Sequence, residues 1–238
     1  MEVIPFTIQK IGEDKKSNQD YYHCSIQKDV FALSDGVSRS SFSDIWSKKI
    51  VDEFIQNPFN SPKPDEVFLE RWLKSAKLKF EEEISKLNVN PMILDVAKEN
   101  GSAATFLGCK INKSKKNKKI SIWAIGDTNI FQIRDKKIIN LFPIKKVEGF
   151  SFRTPAISSF IENQKTEFLY AEWIIKNDDV ILMATDAFSK WFLDSSNKGQ
   201  KPWKKIIRNN SKLNDFVETI RIHNKIENDD TTFILIKF

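Results

Sequence analysis

Cysteine and histidine are nearly absent from this chain of 238 residues, which has two of each. Cys24 and Cys109 lie far apart and show no metal-ligand spacing, so the sequence offers neither a disulfide framework nor a zinc site. His23 falls in a predicted strand and His223 at the end of a predicted helix, where a cation suits the helix dipole. Because no serine has a histidine partner at a recognisable spacing, a Ser-His-Asp hydrolase has little support.

Long apolar runs are missing as well. No segment approaches the roughly 18 apolar residues that cross a bilayer. The N-terminus lacks the basic start and apolar core of a secretory signal. We therefore expect a cytoplasmic protein with reduced thiols and no membrane partner. Hydrophobic residues make up 40% of the chain, which is enough for a sizeable core, and 29% charged residues favour solubility.

The chain is basic, with a formal net charge of +6. Its densest lysine run, Lys110 to Lys119, lies between two predicted strands, in the position of a hairpin loop. Because charge blocks usually mark solvated segments, we predict a solvated loop and no nucleic-acid partner. The alternative is a nucleic-acid-binding protein, whose affinity would depend steeply on salt through five lysines of this run, Lys113, Lys115, Lys116, Lys118 and Lys119. A basic surface would also suit an anionic phosphoprotein.

Strand and helix patterns follow one another in groups, without a linker or repeat. After three strand patterns come two helical segments, Ser43 to Gln56 and about Pro64 to Leu87. After Gly101 four strand patterns predict an antiparallel meander with turns at Gly126-Asp127 and Asp135-Lys136. The segment from Val147 to Lys165 is hard to interpret; a loop with a short helix would fit it.

The last third of the chain has two strand patterns, helical segments at 188–210 and 213–224, and the closing strand "TTFILIKF". Helices thus come in pairs between groups of strands. That order favours antiparallel sheets with helices packed outside over a doubly wound parallel sheet. We predict an α+β fold with two central sheets in a single domain, residues 1–238.

Aspartates recur where predicted strands begin or end: Asp20, Asp35, Asp127, Asp186, Asp229 and Asp230. Taken alone, the Asp-Gly pair at Asp35 is a common turn signal. However, the pattern of an apolar strand ending in a carboxylate repeats at Asp186. Carboxylates gathered without histidine or cysteine form a hard-oxygen site, which selects magnesium or manganese over zinc or copper. Repulsion among them would be costly unless cations intervened.

Six short segments, taken in order, resemble the motifs of the metal-dependent protein phosphatases of type 2C, the PPM family, in a small bacterial form. They are "KKSNQD", "ALSDGVS", "NGSAAT", "AIGDTNIFQI", "ILMATDAF" and "NDDTTFILI". Each is weak alone, but together they span nearly the whole chain at the expected strand and hairpin ends. The resemblance implies a four-layer α-β-β-α sandwich of two mainly antiparallel sheets flanked by helix pairs.

The resemblance also implies a site for two Mg²⁺ or Mn²⁺ ions. By position, Asp35 would bridge the two metals with help from the Gly36 carbonyl, and Asp186 and Asp229 would hold the first metal. Asp127 matches a residue that supports a third, weaker ion in some members. A water activated by the two ions would attack the phosphorus of phosphoserine or phosphothreonine in a protein substrate.

Two further positions complete the implied site. Asp20 would act in the metal shell or just outside it. Lys15 stands where the family has a phosphate-binding arginine, and it keeps the charge but loses the planar fork.

Other positions depart from the family's pattern. Gln19 replaces a glutamate and removes one negative charge, so we expect lower metal affinity. Ser38 replaces the second glycine after Asp35, and no histidine follows Asp35. Ala187 replaces a glycine, which requires negative φ there.

We predict an active protein-serine/threonine phosphatase that acts on a phosphoprotein and has a cognate serine/threonine kinase as a partner. The alternative is a weak or inactive pseudophosphatase that binds phosphoproteins or a partner kinase through the same fold.

Overall fold

The computed structural model describes residues 1–114, 117–150, 154–160, 166–223 and 225–238, and its strands form two five-stranded sheets and a two-stranded ribbon. In chain order the strands are β1 (Glu2–Ile8), β2 (Tyr21–Ser25), β3 (Val30–Ser34), β4 (Ala103–Ala104), β5 (Phe106–Lys113), β6 (Lys118–Ile125), β7 (Asn129–Arg134), β8 (Lys137–Phe142), β9 (Ile157–Ser158), β10 (Leu169–Ile175), β11 (Val180–Ala184) and β12 (Thr231–Lys237).

The first sheet has the order β1-β12-β11-β7-β8, and the second has the order β10-β6-β5-β3-β2. Strands β4 and β9 form the ribbon. Every strand pair in the described part of the chain is antiparallel, as the grouping of helices between strands predicts.

The helices are α1 (Ser43–Gln56), α2 (Glu66–Ser85), α3 (Pro91–Asn100), α4 (Asp186–Asn197), α5 (Pro202–Arg208) and α6 (Leu213–Ile222). The first has the predicted bounds, and α2 lies inside its predicted segment. The predicted helix at 188–210 is two helices, because the chain turns at Gly199, whose φ is +75°, and restarts at Pro202. Helix α3 was not predicted from the sequence.

Three hydrophobic cores separate four layers. Period-two alternation sends Phe31 and Leu33 of β3 into the core between the sheets, whereas Val30 and Ala32 pack against α1 and α2. Likewise Phe233 and Leu235 of β12 pack towards the C-terminal helices, while Ile234 and Ile236 face the other sheet. The α-β-β-α sandwich is therefore confirmed.

The predicted continuous meander is wrong at Gly126-Asp127. Strands β5 and β6 pair in one sheet and β7 and β8 in the other, so this segment crosses between sheets. The crossing lets Ile122 of β6 and Ile130 of β7 share the core between the sheets. The second predicted turn, at Asp135 and Lys136, does close the β7-β8 hairpin, with φ of 48° and 63°.

Two sequence segments with little pattern are now partly placed. Lys113 pairs with Lys118 across the ends of β5 and β6, which confirms the predicted hairpin; Lys115 and Lys116 lie outside the described residues. In the segment 147–165, Val147–Gly149 is a short 3-10 turn and β9 follows, whereas 151–153 and 161–165 are not described. None of the described helices has the length and apolar character needed to cross a membrane.

An ion pair with a buried carboxylate joins the two sheets away from the predicted site. Asp179, before β11, accepts hydrogen bonds from Arg134 Nε and Nη2, each at 2.7 Å, and from Gln132 Nε2 at 2.7 Å. Both donors lie on β7 and also donate to the Ile174 carbonyl of β10, in the other sheet. Burial acts to raise the pKa of Asp179, but the hydrogen bonds led by Arg134 outweigh it and hold that pKa below its usual range.

Candidate functional site

Asp35 follows the last residue of β3 and is held through its backbone. Its N–H donates to Thr105 Oγ1 at 3.1 Å, and its carbonyl accepts from the Thr105 N–H at 2.8 Å. The Thr105 hydroxyl also hydrogen-bonds the Thr128 hydroxyl at 2.7 Å, next to Asp127. One threonine thus ties together the two segments that carry Asp35 and Asp127.

The glycine after Asp35 is required by close approach. The Gly36 N–H donates to the Gln19 carbonyl at 3.1 Å. A Cβ at Gly36 would lie 2.8 Å from the Ser43 carbonyl oxygen and 2.9 Å from the Gln19 carbonyl oxygen, too close for any side chain. Gly36 has no positive φ, so this Asp-Gly pair is not the glycine turn that the sequence alone would allow.

Asp20 is buried beside a threonine of the opposite sheet. Thr185 Oγ1 donates to Asp20 Oδ2 at 2.9 Å, while Asp20 Oδ1 is buried without a hydrogen-bond partner in the described part of the chain. Burial raises the pKa of Asp20 well above its usual range, and repulsion from Asp230 adds to the rise. A buried carboxylate oxygen without a partner is costly, which makes it a candidate for a bound cation.

Asp186 is the first residue of α4. Its Oδ1 accepts from the Ala187 N–H at 2.5 Å, and Ala187 has negative φ, as its replacement of glycine requires. Burial, with repulsion from Asp127 and Asp229, raises the pKa of Asp186 to about 7. The carboxylate therefore stands on a rigid helix end beside other carboxylates.

Adjacent Asp229 and Asp230 have different environments. Asp230 is structural: its Oδ1 accepts from the Lys10 N–H at 3.0 Å and its Oδ2 from the Gln19 N–H at 2.8 Å. Asp229 accepts only from the Asp230 N–H, at 2.9 Å, among the described donors to its side chain. Burial raises the pKa of Asp229, whereas that hydrogen bond and the charge of Lys10 act to lower it.

Arg221 supports the Asp229 segment and was missed in the sequence. Its guanidinium, on α6, donates to the carbonyl of Asp229, to Thr231 Oγ1 at 2.7 Å and to the Gln9 carbonyl at 2.8 Å. The side chain is 4% exposed. No local pattern singles it out, because on α6 it simply follows Ile220 at the edge of the apolar stripe.

Electrostatics connect the predicted carboxylates. Burial raises the pKa of Asp35 well above its usual range, and repulsion from Asp20, Asp186, Asp127 and Asp229 raises it further. These side chains come from separate loops and strand ends. Asp20, Asp127, Asp186 and Asp229 thus lie close enough to Asp35 to affect its ionisation.

The donor set fits hard divalent cations. It consists of carboxylates, one of them with a buried oxygen that lacks a partner, and no described hydrogen-bond donor contacts the Asp35 carboxylate. Among the described residues no three His, Cys, Asp or Glu side chains already meet in a geometry that would hold a metal ion. Like charges repel, so binding a cation would draw these carboxylates together.

Two lysines of the N-terminal segment, Lys15 and Lys10, differ in their environments. Lys15 is exposed on a short 3-10 turn, Lys15–Ser17, and forms no ion pair within the described residues. Lys10, which the sequence did not single out, forms an ion pair with Glu13 at 3.4 Å. Burial acts to lower the pKa of Lys10, but attraction to Asp229 and Glu13 outweighs it and raises that pKa. Lys10 thus interacts with Asp229 through its charge, in addition to the Arg221 guanidinium.

No protein-family model and no curated protein sequence matches this chain. Several solved structures, in contrast, match it over nearly its whole length. Stp1, a serine/threonine phosphatase from Staphylococcus aureus, superposes with a TM-score of 0.65 at 17% identity, covering 100% of this chain and 95% of that one. The phosphatase PstP/Ppp from Mycobacterium tuberculosis gives a TM-score of 0.61 at 13% identity over 100% and 99% of the two chains.

A further structure is the catalytic domain of PstP in complex with two manganese ions, with a TM-score of 0.61, 14% identity, and 98% and 96% of the two chains covered. At such identities the likeness establishes the fold. The chain has the fold of the PPM-type serine/threonine phosphatases, as the six sequence segments predict.

Proposed function

We propose that this chain is a PPM-family protein phosphatase, acting as one domain over residues 1–238, that hydrolyses phosphoserine or phosphothreonine in proteins. The observation that best supports the proposal is the position of Asp35, a carboxylate at a strand end that interacts with four other aspartates from separate segments. The likeness of the fold to solved serine/threonine phosphatases supports the same reaction class.

Asp35, Asp186 and Asp229 would hold two Mn²⁺ or Mg²⁺ ions with the Gly36 carbonyl, while Asp20 and Asp127 would act around them. Cations bound there supply the Lewis-acid charge that hydrolysis of a phosphate monoester needs. The chain itself contributes fixed positions: Thr105 holds the Asp35 backbone, α4 carries Asp186, and Arg221 supports the Asp229 segment. Such fixed placement reduces the reorganisation needed during the reaction.

Lys15 would bind the substrate phosphate. Its ammonium is exposed and has no acidic partner among the described residues, which leaves the charge available for an anion. Compared with arginine, it offers a point charge without a two-pronged fork, so the phosphate would be oriented less strictly.

The second candidate is a non-catalytic protein that uses this fold to bind a phosphoprotein or a partner kinase. The observation that favours it is the neutral Gln19 amide, which is engaged by Ser38 at 2.7 Å and by Ser43 at 2.8 Å and adds no negative charge. Weaker metal binding would then leave a fold without turnover.

The test is phosphate release from a phosphothreonine peptide with Mn²⁺. We expect turnover that a chelator abolishes and that Asp35→Asn lowers by about a hundredfold or more, because a carboxylate that would hold the ions is lost. Asp95→Asn, the same change on the exposed side of α3, is the matched control and should keep full turnover.

Loss of folding must be separated from loss of function. The metal-free Asp35→Asn protein should melt no lower than wild type, because the change removes a buried charge that four carboxylates repel. If folded wild type with bound Mn²⁺ releases no phosphate, the non-catalytic candidate replaces the phosphatase.

A further inference from the structure

A groove runs along one face of α4, beginning at the candidate site. Residues of this face recur at helical spacing, from Ala187 through Trp191 and Asp194 to Lys198. Two cavities of about 400 Å³ and 340 Å³ lie along it and share Trp191, Asp194 and Lys225. We call this feature the α4 groove, bounded by Ala187, Trp191, Asp194, Lys198, Lys205 and Lys225.

One end of the α4 groove adjoins the carboxylates. Ala187 directly follows Asp186, and Asn228, which lines the same end, directly precedes Asp229. From Ala187 to Lys198 the helix rises about 16 Å, at about 1.5 Å per residue. An extended polypeptide advances about 3.3 Å per residue, so the groove has the length of about five residues.

The α4 groove carries an excess of positive charge. Two of its lysines already pair with acids beside it, Lys190 with Glu227 and Lys198 with Asp194. Lys205 and Lys225 form no ion pair within the described residues, and the Lys205 ammonium contacts only the amide oxygen of Gln200, at 3.3 Å. An acidic segment lying here would supply the two missing partners.

The wall of the groove is rigid and partly apolar. Trp191 is 5% exposed and its ring packs on Phe188 and Phe216, with centroids 5.0 Å and 5.8 Å away. An aromatic wall held by its packing, beside lysine ammonium groups, suits a peptide. The peptide's backbone and side-chain stems need apolar contact, while its charges need counterions.

We propose that the α4 groove binds the polypeptide segment on one side of the phosphorylated residue and prefers acidic side chains there. The position of the phosphorylated residue rests on the proposed function. Binding of an acidic peptide in the groove does not, so the two ideas are tested by different measurements.

The first measurement is fluorescence anisotropy on the full chain, with a labelled threonine peptide that lacks phosphate and carries a five-residue acidic flank. A matched peptide has glutamine at each glutamate. We expect the acidic peptide to bind about fivefold more tightly, and Lys225→Ala and Lys205→Ala each to remove about half or more of that preference. Added salt should remove it as well.

Charge reversal and a matched control sharpen this test. Lys225→Glu should abolish the preference for acidic peptide, whereas Lys74→Ala, on an exposed position of α2, should leave it unchanged. Equal affinity of wild type for the two peptides, or equal behaviour of wild type and Lys225→Glu, would overturn the proposal. A single-stranded oligonucleotide that displaces the peptide and depends on Lys225 would overturn it too, assigning the groove to nucleic acid.

The second measurement is turnover of the phosphorylated forms of both peptides, each divided by turnover of p-nitrophenyl phosphate, which has no flank. We expect the ratio for the acidic peptide to exceed that for the glutamine peptide and to fall about threefold in Lys225→Ala. If no substrate is hydrolysed, the proposed function fails while the anisotropy result still decides the groove. Equal ratios for the two peptides would overturn the proposed preference for an acidic flank during turnover.

Discussion

The Ser38 hydroxyl donates a hydrogen bond to the side-chain carbonyl of Gln19 at 2.7 Å. By the sequence resemblance, both residues stand where the phosphatase motifs have others, glycine and glutamate respectively, so two departures from the motifs lie in contact. The Gln19 amide also donates to Ser43 Oγ at 2.8 Å, at the start of α1. A neutral amide is thereby held beside the Asp35-Gly36 segment without adding charge.

Replacing this amide by a carboxylate tests its effect on cation binding. In Gln19→Glu, Ser38 keeps an acceptor and the Ser43 hydroxyl can turn to donate, so the contacts persist. We expect Mn²⁺ to bind about tenfold more tightly by calorimetry, because a group that acts around the ligands gains a negative charge. The metal-free variant should melt lower than wild type, because like charges repel.

Gln56→Glu adds the same charge at the end of α1, where its amide oxygen meets Lys79, and serves as the control. An unchanged Mn²⁺ affinity in Gln19→Glu would contradict the prediction.

The pairing of Thr185 with Asp20 should contribute strongly to stability. Thr185→Val keeps the shape but removes the hydroxyl that donates to Asp20 and accepts from the Thr232 N–H at 3.1 Å. Two buried groups then lose partners, so we expect the free energy of unfolding to fall by about 2–3 kcal/mol in urea titrations. Thr185→Ser retains the hydroxyl and should lose much less. Equal losses in the two variants would contradict the prediction, because they would show that the methyl group contributes as much as the hydrogen bonds.

Arg221 is expected to position the Asp229 segment. In Arg221→Lys a single ammonium cannot reach acceptors on Gln9, Asp229 and Thr231 together, so we expect about 2 kcal/mol lower stability. We also expect Mn²⁺ to bind about tenfold more weakly, because the backbone of Asp229, a proposed metal ligand, is less fixed. Arg71→Lys on the exposed side of α2 should change neither quantity. Lower stability with unchanged Mn²⁺ affinity would limit Arg221 to a structural role.

The Asp179–Arg134 pair predicts a pH dependence of stability. The folded-state pKa of Asp179 lies below its ordinary value of 3.8, so its contribution is present above about pH 4 and is lost as the pH falls through the folded-state pKa. Asp179→Asn should lower the free energy of unfolding by about 2 kcal/mol at neutral pH. This value is smaller than for a fully buried pair because Arg134 is partly exposed. The difference in unfolding free energy between wild type and Asp179→Asn should narrow below about pH 4 in urea titrations. Asp178→Asn, at the preceding residue, should have the same free energy of unfolding as wild type at every pH.

Much of the fold was predictable because its signals are local. The apolar stripe of Ser43–Gln56 gave the bounds of α1, and the apolar run before Asp35 gave the strand β3. Helix α3 was missed because it lacks a local signal of this kind. Its apolar Met92, Ile93 and Val96 are exposed, Leu94 is half-buried and only Ala97 is buried, so most of its apolar residues do not face the core. The aspartates were found because each marks a strand end.

Tertiary structure decided what the sequence could not. Strands β6 and β7 are consecutive but lie in opposite sheets, because their apolar faces meet in the core between the sheets. Thr185 reaches Asp20 across 165 positions of sequence, and this contact exists only once both sheets pack. By itself, then, the sequence determined which residues end the strands and which chemistry they offer. Packing of the sheets decided which of those residues meet, because period-two and helical patterns specify faces but not the partners those faces will have.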